Sequence, residues 1–353
     1  MKICLIAPID ESIPPLKYGG IERIVHLLTD NLIKHNHKVT LLAPSDSKSP
    51  AIIIPTISQS IKGFYCNSKT REAYLYIALS KILKIISQQK FDLIHNHFGW
   101  RLIPFIKSFK SPTITTFHTT LDQIDEKTIL NIWKDTPLIT ISKSQRKCMP
   151  DLNYIANIYN GIDTSLYHFS KQHQGYLAFL GRISPEKGVS EAIQISKTLK
   201  KKLIIAGPIP LRDKQYFQEK VYPYIDDKNC IYLGEINDQQ KDKLLGKAEA
   251  LLAPIQWAEP FGLILIEAMA CGTPIIALNR GAIPEIIIDK ITGITGESIK
   301  ELIQRFKEIK NIKRENCRKL VEEKFTALIM VQKYEKIYKK FLSNLNSLKT
   351  NRF

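Results

Sequence analysis

Two glutamates bracket an apolar segment within residues 258–272 of this chain. Glu259 precedes Pro260-Phe261-Gly262, and Glu267 lies eight positions after Glu259. Proline and glycine interrupt a strand, and a helix that begins after them has unpaired N–H groups that favour a phosphate. Eight helical residues complete two turns and about 80° more. Both carboxylates therefore border one pocket only if Glu259 projects from the entry loop, a geometry that fits a nucleotide-linked sugar.

A second glutamate pair, Glu315 and Glu323, has the same spacing but lies in a Lys- and Arg-rich stretch. We expect that pair to be solvated surface. Glu259 and Glu267 stand in nearly uncharged sequence, where a carboxylate needs a hydrogen-bonding reason to be present. The alternative for them is structural, with one carboxylate capping the helix and the other bonded in the core.

Two basic residues, Arg182 and Lys187, flank a Ser-Pro-Glu turn directly after an apolar run that ends at Leu180. Cleaving a sugar from a nucleotide diphosphate leaves negative charge on the departing phosphate, and positive charge placed there beforehand stabilises the transition state. The chain has no Asp-x-Asp sequence, which holds a metal ion in many transferases. We therefore expect Arg182 and Lys187 to replace the metal, and the alternative is ordinary surface charge.

Four sequence motifs follow one another along the chain. They are Gly19-Gly20-Ile21-Glu22-Arg23, Asn160-Gly161-Ile162-Asp163, Leu180-Gly181-Arg182-Ile183-Ser184-Pro185-Glu186-Lys187-Gly188, and Glu259-Pro260-Phe261-Gly262-Leu263 with the Glu267-Ala268-Met269-Ala270-Cys271-Gly272-Thr273-Pro274 that follows. In this order they resemble the motifs of the family 4 retaining glycosyltransferases of the GT-B fold, and the resemblance covers roughly the whole chain. The resemblance implies a hexosyltransferase-like enzyme that moves a sugar from a nucleotide-diphosphate sugar to a hydroxyl acceptor, in glycan, lipopolysaccharide or glycolipid biosynthesis. It also implies retention of the anomeric configuration.

The resemblance also implies roles for individual residues. Glu259 would bind hydroxyls of the donor sugar and Glu267 those of the ribose, while His118 would position and polarise the donor sugar. The expected catalytic residues are His118, Glu259, Arg182 and Lys187. The expected donor-binding residues are Gly19, Gly20, Phe261, Gly262, Leu263 and Glu267. Acceptor-side candidates are Tyr18, Arg23, His97 and Trp100, for which a structural role is an equal alternative.

Two other classes of function are compatible with these motifs. A nucleotide-sugar 2-epimerase would need additional acid and base groups, and the ordered motifs favour transfer. A non-catalytic nucleotide-sugar-binding protein would be expected to lack Arg182, Lys187 or Glu259, and all three are present. We expect no cofactor and no metal, because the nucleotide sugar is a co-substrate.

The length of 353 residues matches two domains. Short apolar runs alternate with helical segments in two series, which predicts two doubly wound, Rossmann-like α/β domains that face each other across a cleft. The first, on the acceptor side, would span residues 1–165, with a terminal helix of about 325–353 packing back on it. The second, on the donor side, would span residues 166–324. Six scattered cysteines without metal-ligand spacing are expected to be buried free thiols.

The net charge of +17 indicates an acidic partner. Residues 308–353 alone hold 12 Lys and Arg against 5 Asp and Glu. Basic and aromatic residues at 333–341 would let this helix rest on anionic lipid, and the alternative is a docked amphipathic helix. Nucleic acid is not expected, because no binding motif accompanies the charge. No run is long enough for a membrane span or signal peptide. We expect a cytoplasmic enzyme, with peripheral contact at the inner membrane face left open.

Overall fold

The fold consists of two α/β units, each built on its own parallel sheet. A computed structural model describes residues 1–17, 19–63 and 67–350. The N-terminal unit contains Met1–Gly161 together with Ala327–Phe353, and the C-terminal unit contains Ile162–Thr326. The chain thus passes between the units at 161/162 and again at 326/327.

Seven parallel strands form the sheet of the N-terminal unit, in the order β3-β2-β1-β4-β5-β6-β7. Its central strands are largely buried on both faces, as in β1, where four of five residues are buried. The strands are β1 (Lys2–Ile6), β2 (Lys38–Ala43), β3 (Ile52–Pro55), β4 (Leu93–Asn96), β5 (Thr113–Phe117), β6 (Leu138–Thr140) and β7 (Tyr154–Asn157).

The helices of this unit include one from the far end of the chain. They are α1 (Gly20–Lys34), α2 (Ser68–Gln88), α3 (Ile124–Ile132) and α11 (Ala327–Thr350), with a long 3₁₀ segment at Gly99–Ser108. In α1, Ile24, Val25, Leu28 and Leu32 recur at helical spacing and are buried. Packing of α11 against α1 makes the C-terminal helix part of the N-terminal unit.

Six parallel strands form the sheet of the C-terminal unit, in the order β10-β9-β8-β11-β12-β13. The order reverses between β8 and β11, as it does between β1 and β4 in the other unit. The strands are β8 (Leu177–Leu180), β9 (Leu203–Ala206), β10 (Cys230–Tyr232), β11 (Ala250–Ala253), β12 (Ile275–Leu278) and β13 (Gly293–Gly296). The helices are α4 (Val189–Leu199), α5 (Lys214–Lys220), α6 (Asp238–Lys247), α7 (Leu263–Ala270), α8 (Ile283–Ile286), α9 (Ile299–Arg305) and α10 (Arg314–Lys324).

The predicted α/β class is confirmed. Ten strands were predicted, and each lies within a residue or two of its observed bounds: 3–7, 38–43, 93–95, 113–117, 138–140, 176–180, 202–206, 230–233, 250–253 and 274–277. Three strands were not predicted. β3 and β7 are edge strands without fully buried residues, so their sequences lack the apolar run of a central strand. β13 is only Gly-Ile-Thr-Gly, and glycines normally indicate turns.

Two expectations need correction. Tyr334 and Tyr338 of α11 are completely buried, so these two aromatic side chains are not available to a lipid surface. Among the cysteines, Cys4, Cys230, Cys271 and Cys317 are buried free thiols, but Cys148 is exposed. Cys66 lies outside the described residues. No helix in the described part of the chain has the length and apolarity needed to cross a bilayer.

Candidate active site

A close contact between two loops creates the charged site of the C-terminal unit. The loop after β8 meets the loop after β11 at Gly188, which has a φ of +77°, and a Cβ there would lie 2.0 Å from the carbonyl oxygen of Pro254. A backbone hydrogen bond from Gln256 to the Glu186 carbonyl joins the same loops. They extend from the carboxyl ends of the strands at which the sheet order reverses, where ligands of open α/β sheets bind.

Glu259 and Lys187 form an ion pair at this position. Lys187 Nζ donates to Oε2 of Glu259 at 2.6 Å, with side chains 15% and 9% exposed. The indole N–H of Trp257 donates to the same oxygen at 2.9 Å, and Lys187 Nζ lies 5.2 Å from the centre of that ring. Oε1 of Glu259 has no hydrogen-bond partner among the described residues and remains available to a ligand.

The backbone of Glu259 is held by the loop after β12. Gly281 has a φ of +62°, and a Cβ on it would lie 2.3 Å from the nitrogen and oxygen of Glu259. The next residue, Ala282, donates its N–H to the Glu259 carbonyl at 2.8 Å. Loops from three strand ends therefore determine where this carboxylate lies.

Arg182 has an acidic neighbour as well. Its guanidinium lies 3.3 Å from Oε1 of Glu186, and Arg212 approaches the same oxygen at 3.1 Å. Burial acts to raise the pKa of Glu186, but a backbone hydrogen bond and the two arginines outweigh it and lower that pKa. An anion that binds Arg182 must therefore share this guanidinium with Glu186.

Glu267 lies on α7 in a second polar cluster. Its Oε1 accepts hydrogen bonds from the Tyr167 hydroxyl and from Lys241 Nζ, both at 2.8 Å. The residue is only 4% exposed, and Oε2 has no hydrogen-bond partner among the described residues. One oxygen thus has a structural role while the other is left for a ligand hydroxyl.

The N-terminal unit has a cavity of about 190 Å³ at the carboxyl ends of β1, β4 and β5. Its lining includes His97, His118, Trp100 and Arg101. Nδ1 of His97 and Nε2 of His118 are 2.8 Å apart, which is hydrogen-bond distance. Arg101 stacks over the Trp100 ring at 4.6 Å from its centre.

Burial determines the protonation of this histidine pair. It lowers the pKa of His118 to about 4. It lowers the pKa of His97 well below the usual range, with the neighbouring histidines adding to the effect. Both rings are therefore neutral near pH 7.

Two family models together match nearly the whole chain. The model described as Glycosyltransferase Family 4 matches residues 18–166, and the one described as Glycosyl transferases group 1 matches residues 167–325. The chain belongs to the family 4 glycosyltransferases. As a family 4 glycosyltransferase it is an enzyme of glycosyl transfer.

Similar proteins and similar solved structures also align with nearly the full length of this chain. A 41.2 kDa protein in the cps region of Klebsiella pneumoniae is 27% identical, with 92% of this chain and 97% of that protein covered. The structure of a sucrose-phosphate synthase from Thermosynechococcus elongatus matches with a TM-score of 0.80 at 18% identity, covering 97% and 99% of the two chains. Anabaena HepE, solved in complex with UDP and glucose, matches with a TM-score of 0.73 at 17% identity, covering 95% and 98%. The architecture is GT-B.

The structure of this glycosyltransferase brings some of the predicted donor-side residues together. Glu259, Lys187 and Arg182 lie on the loops after β8 and β11, and Gly262 and Leu263 begin the α7 helix between the two glutamates. Phe261 has a buried ring that packs edge-on against Phe325, so its side chain belongs to the core. Glu315 and Glu323 are exposed, as expected for the second glutamate pair.

Predicted residues near the amino terminus lie apart from the cavity lining. Gly19 packs so closely against Pro15 that a Cβ would lie 2.6 Å from that ring, and Gly20 is the first residue of α1. Arg23 donates to the Lys17 carbonyl instead of facing the cavity. Tyr18 lies outside the described residues. Of the acceptor-side candidates, His97 and Trp100 do line the cavity.

Several site residues carried no recognisable signal in the sequence. Trp257 contacts Glu259, while Tyr167 and Lys241 bind Glu267 from positions 100 and 26 residues away. In the N-terminal unit, Arg71 forms an ion pair with Asp10 at 2.8 Å, and both line the cavity. Only the Ala-Glu-Pro context near Trp257 could have indicated its role, because the other contacts join distant segments.

Proposed function

We propose that this glycosyltransferase moves a sugar from a nucleotide-diphosphate sugar to a hydroxyl acceptor, with retention of anomeric configuration, in glycan, lipopolysaccharide or glycolipid biosynthesis. The observation that carries the proposal is the Lys187–Glu259 ion pair at the carboxyl ends of β8 and β11. It places a cation suited to a diphosphate beside a carboxylate suited to sugar hydroxyls.

The departing diphosphate needs positive charge. Lys187 and Arg182 are proposed to supply it, because both follow β8 and both are only partly exposed. Gly262 and Leu263 add N–H groups at the amino end of α7. The HepE structure with UDP and glucose supports a donor of this class, since it shares the fold.

The donor sugar and ribose are proposed to bind the two buried glutamates. Oε1 of Glu259 would accept hydroxyl groups of the sugar, and Oε2 of Glu267 would accept those of the ribose. Each of these oxygens lacks a partner among the described residues, while the other oxygen of the same carboxylate is held by internal donors. A carboxylate fixed at one oxygen keeps its orientation when a ligand binds the other.

The cavity of the N-terminal unit is proposed to hold the acceptor. It is lined by His97, His118, Trp100 and Arg101, which offer ring nitrogens, a guanidinium and an aromatic face for a hydroxylated ligand. We propose that His118 contacts the reacting sugars through its free ring nitrogen.

We also propose that no divalent metal takes part, on the strength of Arg182 and Lys187 and the missing Asp-x-Asp sequence. Peripheral contact with anionic membrane at the cytoplasmic face is a further proposal. Its support is the exposed side of α11, which presents Lys333, Lys336, Lys339 and Lys340. Sedimentation with anionic and neutral liposomes at rising salt tests it, and equal binding to both would contradict it.

The reaction itself is tested by screening nucleotide sugars for a thermal shift and then testing acceptors with the best donor. We expect one nucleoside-diphosphate sugar to stabilise the protein and to yield a glycosylated product. NMR of the product determines its anomeric configuration, and an inverted anomer would refute retention. A protein that binds the donor but transfers to no acceptor would favour a binding function instead.

A further inference from the structure

The two histidines beside the cavity share a single hydrogen bond between ring nitrogens. Nδ1 of His97 and Nε2 of His118 are 2.8 Å apart, and the rings are nearly parallel, at 27°. His97 is 3% exposed. His118 has no partner at Nδ1 among the described residues, so that nitrogen is the one left for a ligand.

A neutral imidazole has one N–H and one bare nitrogen. Because both rings are neutral and one proton lies between them, the two outer nitrogens must have opposite roles. If His97 donates from Nδ1, its Nε2 is bare and His118 carries its proton on Nδ1. If His118 donates from Nε2, its Nδ1 is bare and His97 carries a proton on Nε2.

The surroundings of His97 distinguish these two states. Its Nε2 is buried and has no hydrogen-bond partner in the described part of the chain. Leaving a buried N–H donor unpaired is rarer in proteins than leaving an acceptor under-satisfied. The neighbouring ring of His95, 4.0 Å away, offers no acceptor, because its two nitrogens are bonded to Tyr338 and Thr116. The first state, with a bare Nε2 on His97, is therefore favoured.

We propose that His97 is a positioning residue that holds His118 in the tautomer with its proton on Nδ1, so that His118 donates a hydrogen bond to a substrate oxygen. The catalytic part of this inference rests on the proposed function, in which His118 contacts the reacting sugars. A substrate group that can only donate would need a bare Nδ1 on His118. The proton of His118 would then move to Nε2 and that of His97 to Nε2, which would leave a buried N–H on His97. The pair thus selects a substrate oxygen that can accept.

The tautomer is measured on the full protein without substrate, by long-range ¹H–¹⁵N correlation spectra of ¹⁵N-histidine-labelled enzyme near pH 7. The chain has eight histidines, and the His118 signals are identified by their loss in His118→Gln. We expect the proton of His118 on Nδ1 in the wild type. A proton on Nε2 would overturn the proposal, whatever the enzyme's reaction proves to be.

Two substitutions of His97 form a matched pair. In His97→Asn the side-chain amide keeps a donor near the position of Nδ1, whereas His97→Ala removes it and leaves room for a water that can accept from Nε2 of His118. We expect His97→Ala to release His118 toward the Nε2–H form that free histidine prefers, and to lower kcat about tenfold or more with little change in the KM for the donor. His97→Asn should restore the Nδ1–H form and bring kcat to within about threefold of wild type.

Tyr338→Phe is the control within the same cluster. It removes the hydroxyl bonded to His95, but it leaves the bond between His97 and His118 intact. The tautomer of His118 should then be unchanged. The proposal fails if His97→Ala has the wild-type tautomer or if Tyr338→Phe alters that tautomer as much as His97→Ala does. Turnover of His118→Gln at the wild-type rate would refute the proposed role of His118 in the reaction instead.

Discussion

Replacing Lys187 should weaken nucleotide binding, whereas replacing Glu259, its partner in the ion pair, should leave nucleotide binding intact and lower turnover. The Nζ–Oε2 distance is 2.6 Å and both side chains are largely buried, so the pair is only weakly screened by solvent. A hydrogen bond involving a charged group contributes about 1.5–3 kcal/mol net. If Lys187 binds the diphosphate, Lys187→Ala should therefore weaken nucleoside-diphosphate binding by roughly 10- to 150-fold.

Glu259→Gln should behave differently. The amide preserves the shape but no longer competes for the Lys187 charge, so affinity for the nucleoside diphosphate should stay the same or increase. The value of kcat/KM for the complete donor should nevertheless fall about tenfold or more, because the carboxylate that meets the sugar as positive charge develops is lost. Isothermal titration with the diphosphate and steady-state kinetics with the sugar nucleotide measure the two effects separately.

Glu249→Gln provides the matched control. Glu249 pairs with Lys201 at the same 2.6 Å, but these residues precede β11 and β9, at the amino ends of the strands and not at the carboxyl ends where the candidate site lies. This variant should lose stability without changing nucleotide affinity or turnover. If Glu259→Gln weakened diphosphate binding as much as Lys187→Ala does, the glutamate would serve only to hold the lysine, and its assignment to the sugar would be wrong.

Three further outcomes are expected. A left-handed backbone costs a non-glycine residue roughly 1–2 kcal/mol, and Gly175→Ala, at φ +78° with open space around it, should destabilise the protein by only that amount. Gly188→Ala should destabilise it by well over that amount, because its Cβ would also meet the Pro254 carbonyl. Chemical denaturation compares the two variants. Hydrogen bonds from His37 and His35 lower the pKa of Glu335 against the opposing effect of burial, so the ionised carboxylate stabilises the fold above its unfolded pKa of about 4.3. That contribution is lost as pH falls through the lower folded pKa, and the stability deficit of Glu335→Gln should be full at pH 6 and shrink toward pH 3. Turnover should survive EDTA, and loss of activity that Mg²⁺ or Mn²⁺ restores would refute the metal-free proposal.

The alternation of apolar and helical segments was sufficient to predict the α/β class and most of the strands. Central strands such as β1 and β11 are buried on both faces, so their apolar runs are visible in the sequence. The edge strands β3 and β7 were missed because they are less buried and more weakly patterned. A local sequence pattern reflects how far an element is buried. An edge strand is only partly buried, so its sequence shows a weak apolar pattern.

In the candidate site, too, sequence suggested some residues while other features appeared only in the tertiary structure. Residue types and short spacing made Glu259, Glu267, Arg182 and Lys187 candidates for the site, because each stands in a short motif whose chemistry depends on near neighbours. Tertiary structure alone showed that Lys187 and Glu259, which are 72 residues apart, form an ion pair. The crossing of two loops at Gly188 creates that contact.

The partners of Glu267 and the hydrogen bond between His97 and His118 likewise depend on which strand ends lie side by side. His97 and His118 follow β4 and β5, which are neighbours in the sheet, but the same two sequences would be far apart in another strand order. Sequence determines which side chains can do chemistry, since their types are local properties. Strand order and loop packing determine which of them meet, because those contacts depend on the burial of the whole sheet.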